Sequence, residues 1–179
     1  MNFGIITQRK QLRLHGQSKG DIMGKFRIKL SESDVNIYNN SSILVDTSFH
    51  VQVDGYCFPD NLWTDFAYPI LCMWADTLLR NRGRLKTEFD LPFMDGPFWI
   101  AVKQNGDVLF MEGINGRNDS HVEFSCCCTA SELLHELLSV FNKLEKIVLT
   151  NEEFQKRDVK EPILNTIDHY KERIKKTLV

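Results

Sequence analysis

The sequence predicts an α+β domain built on an antiparallel sheet of about five strands, with helices packed on one face. Three observations carry this. Several segments alternate apolar and polar residues with short turns between them, the pattern of antiparallel neighbours. Other stretches repeat apolar residues at helical spacing. The chain has 179 residues, 42% hydrophobic and 26% charged, which suits one folded domain rather than a disordered chain.

Taken in order, residues 1–22 are basic and without periodicity. They read as a disordered extension, or as an upstream stretch before a native start at Met23, leaving 23–179 as one α+β domain. Phe26, Ile28 and Leu30 alternate with charges, which predicts a strand. A second strand is expected over 43–53, closed by a turn at Asp54-Gly55. Trp63, Phe66, Ile70, Trp74 and Leu78 predict a helix over 60–80, capped by Asp60 or Asn61. Pro69 is expected to kink or split it.

Residues 85–91 alternate again. Residues 98–104 and 107–113 flank Asn105-Gly106, a strong hairpin signal because a type I′ turn needs positive φ at both centres. That turn pairs Gln104 with Asp107, Val102 with Leu109, Ile100 with Met111 and Trp99 with Glu112. One hairpin face is then wholly apolar (Phe98, Ile100, Val102, Leu109, Met111). The other is mixed, and on it Trp99 and Phe110 are diagonal neighbours.

A loop over 113–119 leads to a strand over 120–127. Val122, Phe124 and Cys126 are expected on one side, and His121, Glu123, Ser125 and Cys127 on the other. Thr129-x-x-Glu132 is a capping box, followed by a buried stripe of Leu134, Leu137, Leu138, Phe141, Leu144 and Val148. Pro162 suits the first position of a last helix, whose stripe is Ile163, Ile167, Tyr170 and Ile174. The order is β-β-α-β-β-β-α-α.

Composition narrows the function classes. Cysteines stand at 57, 72, 126, 127 and 128. An odd number with three in a row does not form a disulfide framework and points to a reducing compartment. No stretch has the ~20 apolar residues of a membrane span, and the start lacks the order of a secretory signal. A cytoplasmic protein is expected. Net charge is −2, but residues 1–30 carry seven Lys/Arg against one Asp, and residues 31–150 carry eight against seventeen Asp/Glu. The acidic body disfavours nucleic acid and favours basic partners.

No catalytic or cofactor motif stands out. The cysteine run alternates across a strand and cannot converge on one ion, so it reads as core packing, with no metal or cofactor expected. His121, Glu123, Ser125 and Cys127 could serve an enzyme of unrecognised type. On one strand, however, residues two apart lie ~6.5–7 Å from each other, beyond a direct hydrogen bond. Asp54, Asp60 and Asp65 read as carboxylates beside a helix dipole. The mixed face is the candidate binding site: Trp99 and Phe110, ringed by Glu88, Asp90, Glu112 and Glu123, have the aromatic centre and polar rim of a protein-binding hot spot. Asp95 and Asp119 lie at loop tips beside it. If the last helix covers this face, it is a second core layer instead.

The runs FPDNLWTDF (58–66), ILCMWADTLL (70–79) and DGPFWIAVKQNGDVLFME (95–112) resemble small bacterial immunity proteins encoded beside polymorphic or contact-dependent toxins. The resemblance spans about residues 43–149 and rests on no diagnostic motif, so no site residue is carried over from it. It implies a cytoplasmic, non-enzymatic protein that binds and neutralises a cognate toxin. Many such toxins are basic nucleases, which suits an acidic inhibitor. Two other readings stay open: the enzyme at His121 and Glu123, and a self-associating structural or regulatory subunit, for example a homodimer.

Overall fold

A computed structural model describes residues 25–39, 42–117 and 120–179. The expected extension over 1–22 and the loop-tip candidate Asp119 lie outside the described residues. The chain is an α+β protein: among the described residues nine strands form two antiparallel sheets rather than one, accompanied by four helices.

The first sheet is organised around the long strand β3 (Ile43–Val53). Strands β1 (Phe26–Leu30), β2 (Asn36–Asn39), β4 (Tyr56–Phe58) and β5 (Thr64–Phe66) all pair with it. Alternation along β3 buries Val45, Thr47, Phe49, Val51 and Val53, the period-2 signature of a sheet with one packed face. Strands β2, β4 and β5 are three or four residues long, too short to show a period in sequence.

Helix α1 begins at Ala67 and runs to Asn81, not from residue 60, because residues 64–66 extend the first sheet instead. Pro69 therefore falls in the first turn. The amides there have no intrahelical acceptor, so the proline costs no hydrogen bond and no kink is needed. Trp74 is fully buried and donates its indole N–H to the Pro92 carbonyl at 2.8 Å.

The second sheet runs in order β6 (Lys86–Pro92), β7 (Phe98–Asn105), β8 (Val108–Asn115), β9 (His121–Thr129). Its central hairpin exists, but in a different register. Asn105 pairs with Val108 and Gln104 with Leu109, so the turn centres are Gly106 and Asp107. Only Gly106 takes a positive φ, 61°, as a type II′ turn requires. Tertiary partners hold that turn: the Gln104 side chain donates to the Gly106 and Arg84 carbonyls, and Ala130 N–H donates to the Asp107 carbonyl. The slip is two residues, an even number, so every side chain keeps its expected face.

A bulge interrupts β8–β9. Gly113 pairs with Phe124 and Ile114 with Val122, which leaves Glu123 as the extra residue. A Cβ at Gly113 would fall on the Phe124 ring, so glycine gives that ring its seat. Beyond the bulge the alternation reverses, and Val122 faces outward with 45% exposure rather than into the core.

Helix α2 (Ala130–Thr150) carries the expected capping box, with both reciprocal hydrogen bonds present. Its side chains also complete β1: Glu136 accepts from the Ile28 N–H and from Arg27, and Lys143 donates to the Leu30 carbonyl. The charged link after it forms a short helix α3 (Glu152–Lys156) that buries Phe154. Helix α4 (Lys160–Leu178) buries Ile163, Ile167, Tyr170 and Ile174 as expected. Pro162 is its third residue, still within the turn where a missing N–H is harmless. One hydrophobic core joins both sheets and all four helices. At its centre Phe58 makes ring contacts with Phe93, Phe98 and Phe124, at centroid separations of 5.7, 5.8 and 5.3 Å.

Candidate functional site

The two faces of the second sheet differ sharply. Ile100, Val102, Leu109 and Met111 are buried to 1% exposure or less. On the opposite face Val108 and Phe110 are 40% and 42% exposed, and Glu88, Asp90, Lys103 and Ser125 are exposed as well. Neighbours along a strand cannot differ this way unless one face is packed and the other is open. None of the described helices covers the outer face, and α4 packs on α1 and α2. No described helix is long and apolar enough to cross a membrane.

The register arranges the outer face in rows across the strands. Glu88, Lys103, Phe110 and Cys127 form one row. Asp90, Ala101, Glu112 and Ser125 form the next, and Pro92, Trp99, Ile114 and Val122 the third. Trp99 and Phe110 are thus not diagonal neighbours. They stand two pairs apart, about 13 Å along the strands. The row between them holds the small residues Ala101 and Ser125 with the carboxylates Asp90 and Glu112. The result is a shallow trough with one aromatic on each side. Trp99 is half-buried, its ring against Gly116, where a Cβ would lie 2.9 Å from it.

Of the candidate residues, Trp99, Phe110, Glu112, Glu88 and Asp90 share this face. Glu123 does not stand in the rows. Displaced by the bulge, its carboxylate accepts from Tyr56 Oη at 2.8 Å and Asn115 Nδ2 at 2.6 Å, with His121 Nε2 at 3.4 Å. It joins β4 of the first sheet to the end of the second. Burial, then the hydrogen bond to Glu123 and that carboxylate's charge, push the Tyr56 phenol up to about 12. His121 sits at this outer end, and its side chain is 57% exposed.

The other carboxylates noted from sequence have structural roles. Asp65 is buried at 2% exposure. It accepts from the backbone N–H groups of Phe66, Met94 and Asp95 and from the Trp63 indole, so it anchors the 93–97 loop rather than facing a helix dipole. Asp95 is exposed on that loop. Cys126 and Cys128 are buried and Cys127 faces the other way, as the alternation requires. Burial pushes both buried thiols up to about 12, which keeps them protonated. Among the described residues no group of three or more His, Cys, Asp or Glu could hold a metal ion. A cleft of about 750 Å³ lies between β1, the end of β9 and the first turns of α2. Its described lining includes Lys25, Arg27, Cys127, Glu132 and Glu136, but neither His121 nor Glu123.

Fold and site together define an α+β protein with one aromatic and acidic sheet face that no described helix covers. No known protein family, curated protein or solved structure matches the chain.

Proposed function

We propose that this chain is a non-enzymatic, cytoplasmic protein-binding domain, an immunity protein that neutralises a cognate bacterial toxin by covering its working surface. One observation carries the reading: no described segment covers the outer face of the second sheet, where Phe110 is exposed one row from Glu112 and Trp99 is half-exposed beyond it. A monomer exposes such a face at a cost in solubility, and exposed apolar patches with polar rims mark interaction sites. The acidic body suits a basic toxin domain, because complementary charge speeds encounter and selects the partner. The site occupies rigid strands rather than loops, so it needs little ordering on binding.

The test is growth rescue. The toxin-like reading frame beside this one is expressed in a bacterial cell with the wild-type chain or with Ala101→Arg, which fills the trough. Wild type is expected to restore growth and to form a stoichiometric complex. The variant should lose both while keeping the wild-type melting temperature. Equal rescue by a folded Ala101→Arg protein, or a neighbour that is not toxic, would overturn the reading.

A further inference from the structure

The buried and half-buried carboxylates of the described residues follow one pattern with one exception. Asp65, Asp76, Glu123, Glu136 and Glu145 each accept hydrogen bonds from named donors, and Asp46 faces its register partner Asn36, whose side chain favours the charged carboxylate. Glu112 is also half-buried, yet among the described residues no donor reaches it and it forms no ion pair. Its strand neighbours in the row, Ala101 and Ser125, bring no cation. Lys103 stands opposite Phe110, one row away, and closes no ion pair with its other register partner Glu88.

A partly desolvated carboxylate without a donor is poised to gain from a cation more than a fully hydrated one, because the local dielectric is lower. Trp99 and Phe110 flank it at a spacing that admits the methylene stem of a long side chain, and aromatic faces attract cations.

We infer that the trough over Ala101 receives an arginine- or lysine-bearing element of a protein partner. The cationic head lies on Glu112, and the stem lies between Trp99 and Phe110. This rests on the docking-face reading above and adds the chemistry of the residue that enters it.

The experiment is an NMR titration of the full chain with a capped peptide, Ala-Phe-Arg-Phe-Ala, and with its citrulline counterpart, which keeps the shape and removes the charge. The expected result is that millimolar arginine peptide moves the Ala101, Glu112 and Ser125 amides and the Trp99 indole signal. Citrulline, or the Glu112→Gln protein, should weaken the apparent affinity about fivefold, the size of one exposed ion pair. Equal response to both peptides at this face would remove the cation and leave the docking face standing. Shifts elsewhere only, or none, would overturn the inference, while growth rescue decides the immunity reading independently. Two further outcomes overturn it by naming another occupant. Drift of these signals with protein concentration would mean a second copy. A change on Arg9→Glu/Lys10→Glu in the free protein would mean the chain's own first residues.

Discussion

The helical side of the molecule and the outer face of its second sheet handle charge in opposite ways. On the helical side nearly every charge near the core has a partner. Arg27 meets Glu136 at 2.7 Å, Lys171 meets Glu145 at 2.7 Å, and Arg173 meets Asp76 at 2.8 Å. Tyr170 adds its hydroxyl to Asp76. On the sheet face Glu88, Lys103 and Glu112 stand within the same rows or adjacent ones and close no ion pair among the described residues. The helical charges are explained by the fold they join. Glu88, Lys103 and Glu112 add no ion pair to the fold among the described residues, and a binding partner is the account proposed for them.

The widest gap between the two regions should appear with a pair of aromatic truncations. Phe58→Ala removes a fully buried ring shared by both sheets and is expected to cost ~3–5 kcal/mol in denaturant unfolding. Phe110→Ala should leave stability within about 0.5 kcal/mol of wild type but weaken the partner complex by ~2 kcal/mol if Phe110 is a central anchor. A large loss of stability from Phe110→Ala would erase the distinction between packed and open faces.

Glu136→Ala should come next on the helical side. It leaves the Ile28 N–H and Arg27 without their acceptor, at ~1–3 kcal/mol. Glu136→Gln should recover part of that, because an amide oxygen still accepts from the Ile28 N–H. A loss identical for the two variants would assign the effect to packing of α2 rather than to the hydrogen bonds.

Asp76 supplies a pH-dependent version of the same contrast. Burial pushes its carboxyl up, but hydrogen bonds from Arg173 and Tyr170 outweigh that and hold it below the ordinary 3.8. A depressed folded-state value contributes stability above the unfolded value, and that stability is lost as pH falls through the folded one. Because the group is partly exposed, the contribution is ~1 kcal/mol or less. Thermal unfolding of Asp76→Asn should start below wild type at neutral pH and converge with it only as pH falls past 3.8 and through the lower folded-state value. Parallel curves would remove Asp76 from the acid limb. The smallest effect belongs to Glu112→Gln, expected within about 0.5 kcal/mol of wild-type stability and of either sign. A marked loss would reveal an intramolecular donor for Glu112.

The faces were legible in the sequence because side-chain alternation survives any even slip. That is why Ile100, Val102, Leu109 and Met111 were placed in the core, and Trp99, Phe110 and Glu112 opposite them, despite a wrong turn centre. What the slip hid was adjacency. With Gly106-Asp107 as the turn, Trp99 moves away from Phe110 and the trough over Ala101 opens between them. The bulge at Glu123 is not legible in the strand's own residues; beside it the Phe124 ring lies on Gly113 of the neighbouring strand. At the turn, local propensity is outweighed by contacts from elsewhere, the Gln104 and Ala130 hydrogen bonds. The α2 capping box and the α4 stripe depend only on neighbours within a few residues and are legible in the sequence. The late start of α1 was not, because β5 is defined by its pairing with β3 rather than by its own residues.

A final consequence follows from the way α2 meets β1. Two of the groups that β1 would offer to a sixth neighbour are taken, the Ile28 amide by a carboxylate and the Leu30 carbonyl by an ammonium. The helix serves as a surrogate strand built from two side chains. A foreign chain trying to lengthen the first sheet on that flank would first have to displace α2. Unlike an ordinary edge guarded by repulsion, this one is closed by occupancy. Growth into ribbons is blocked there without any bulge or proline in β1 itself.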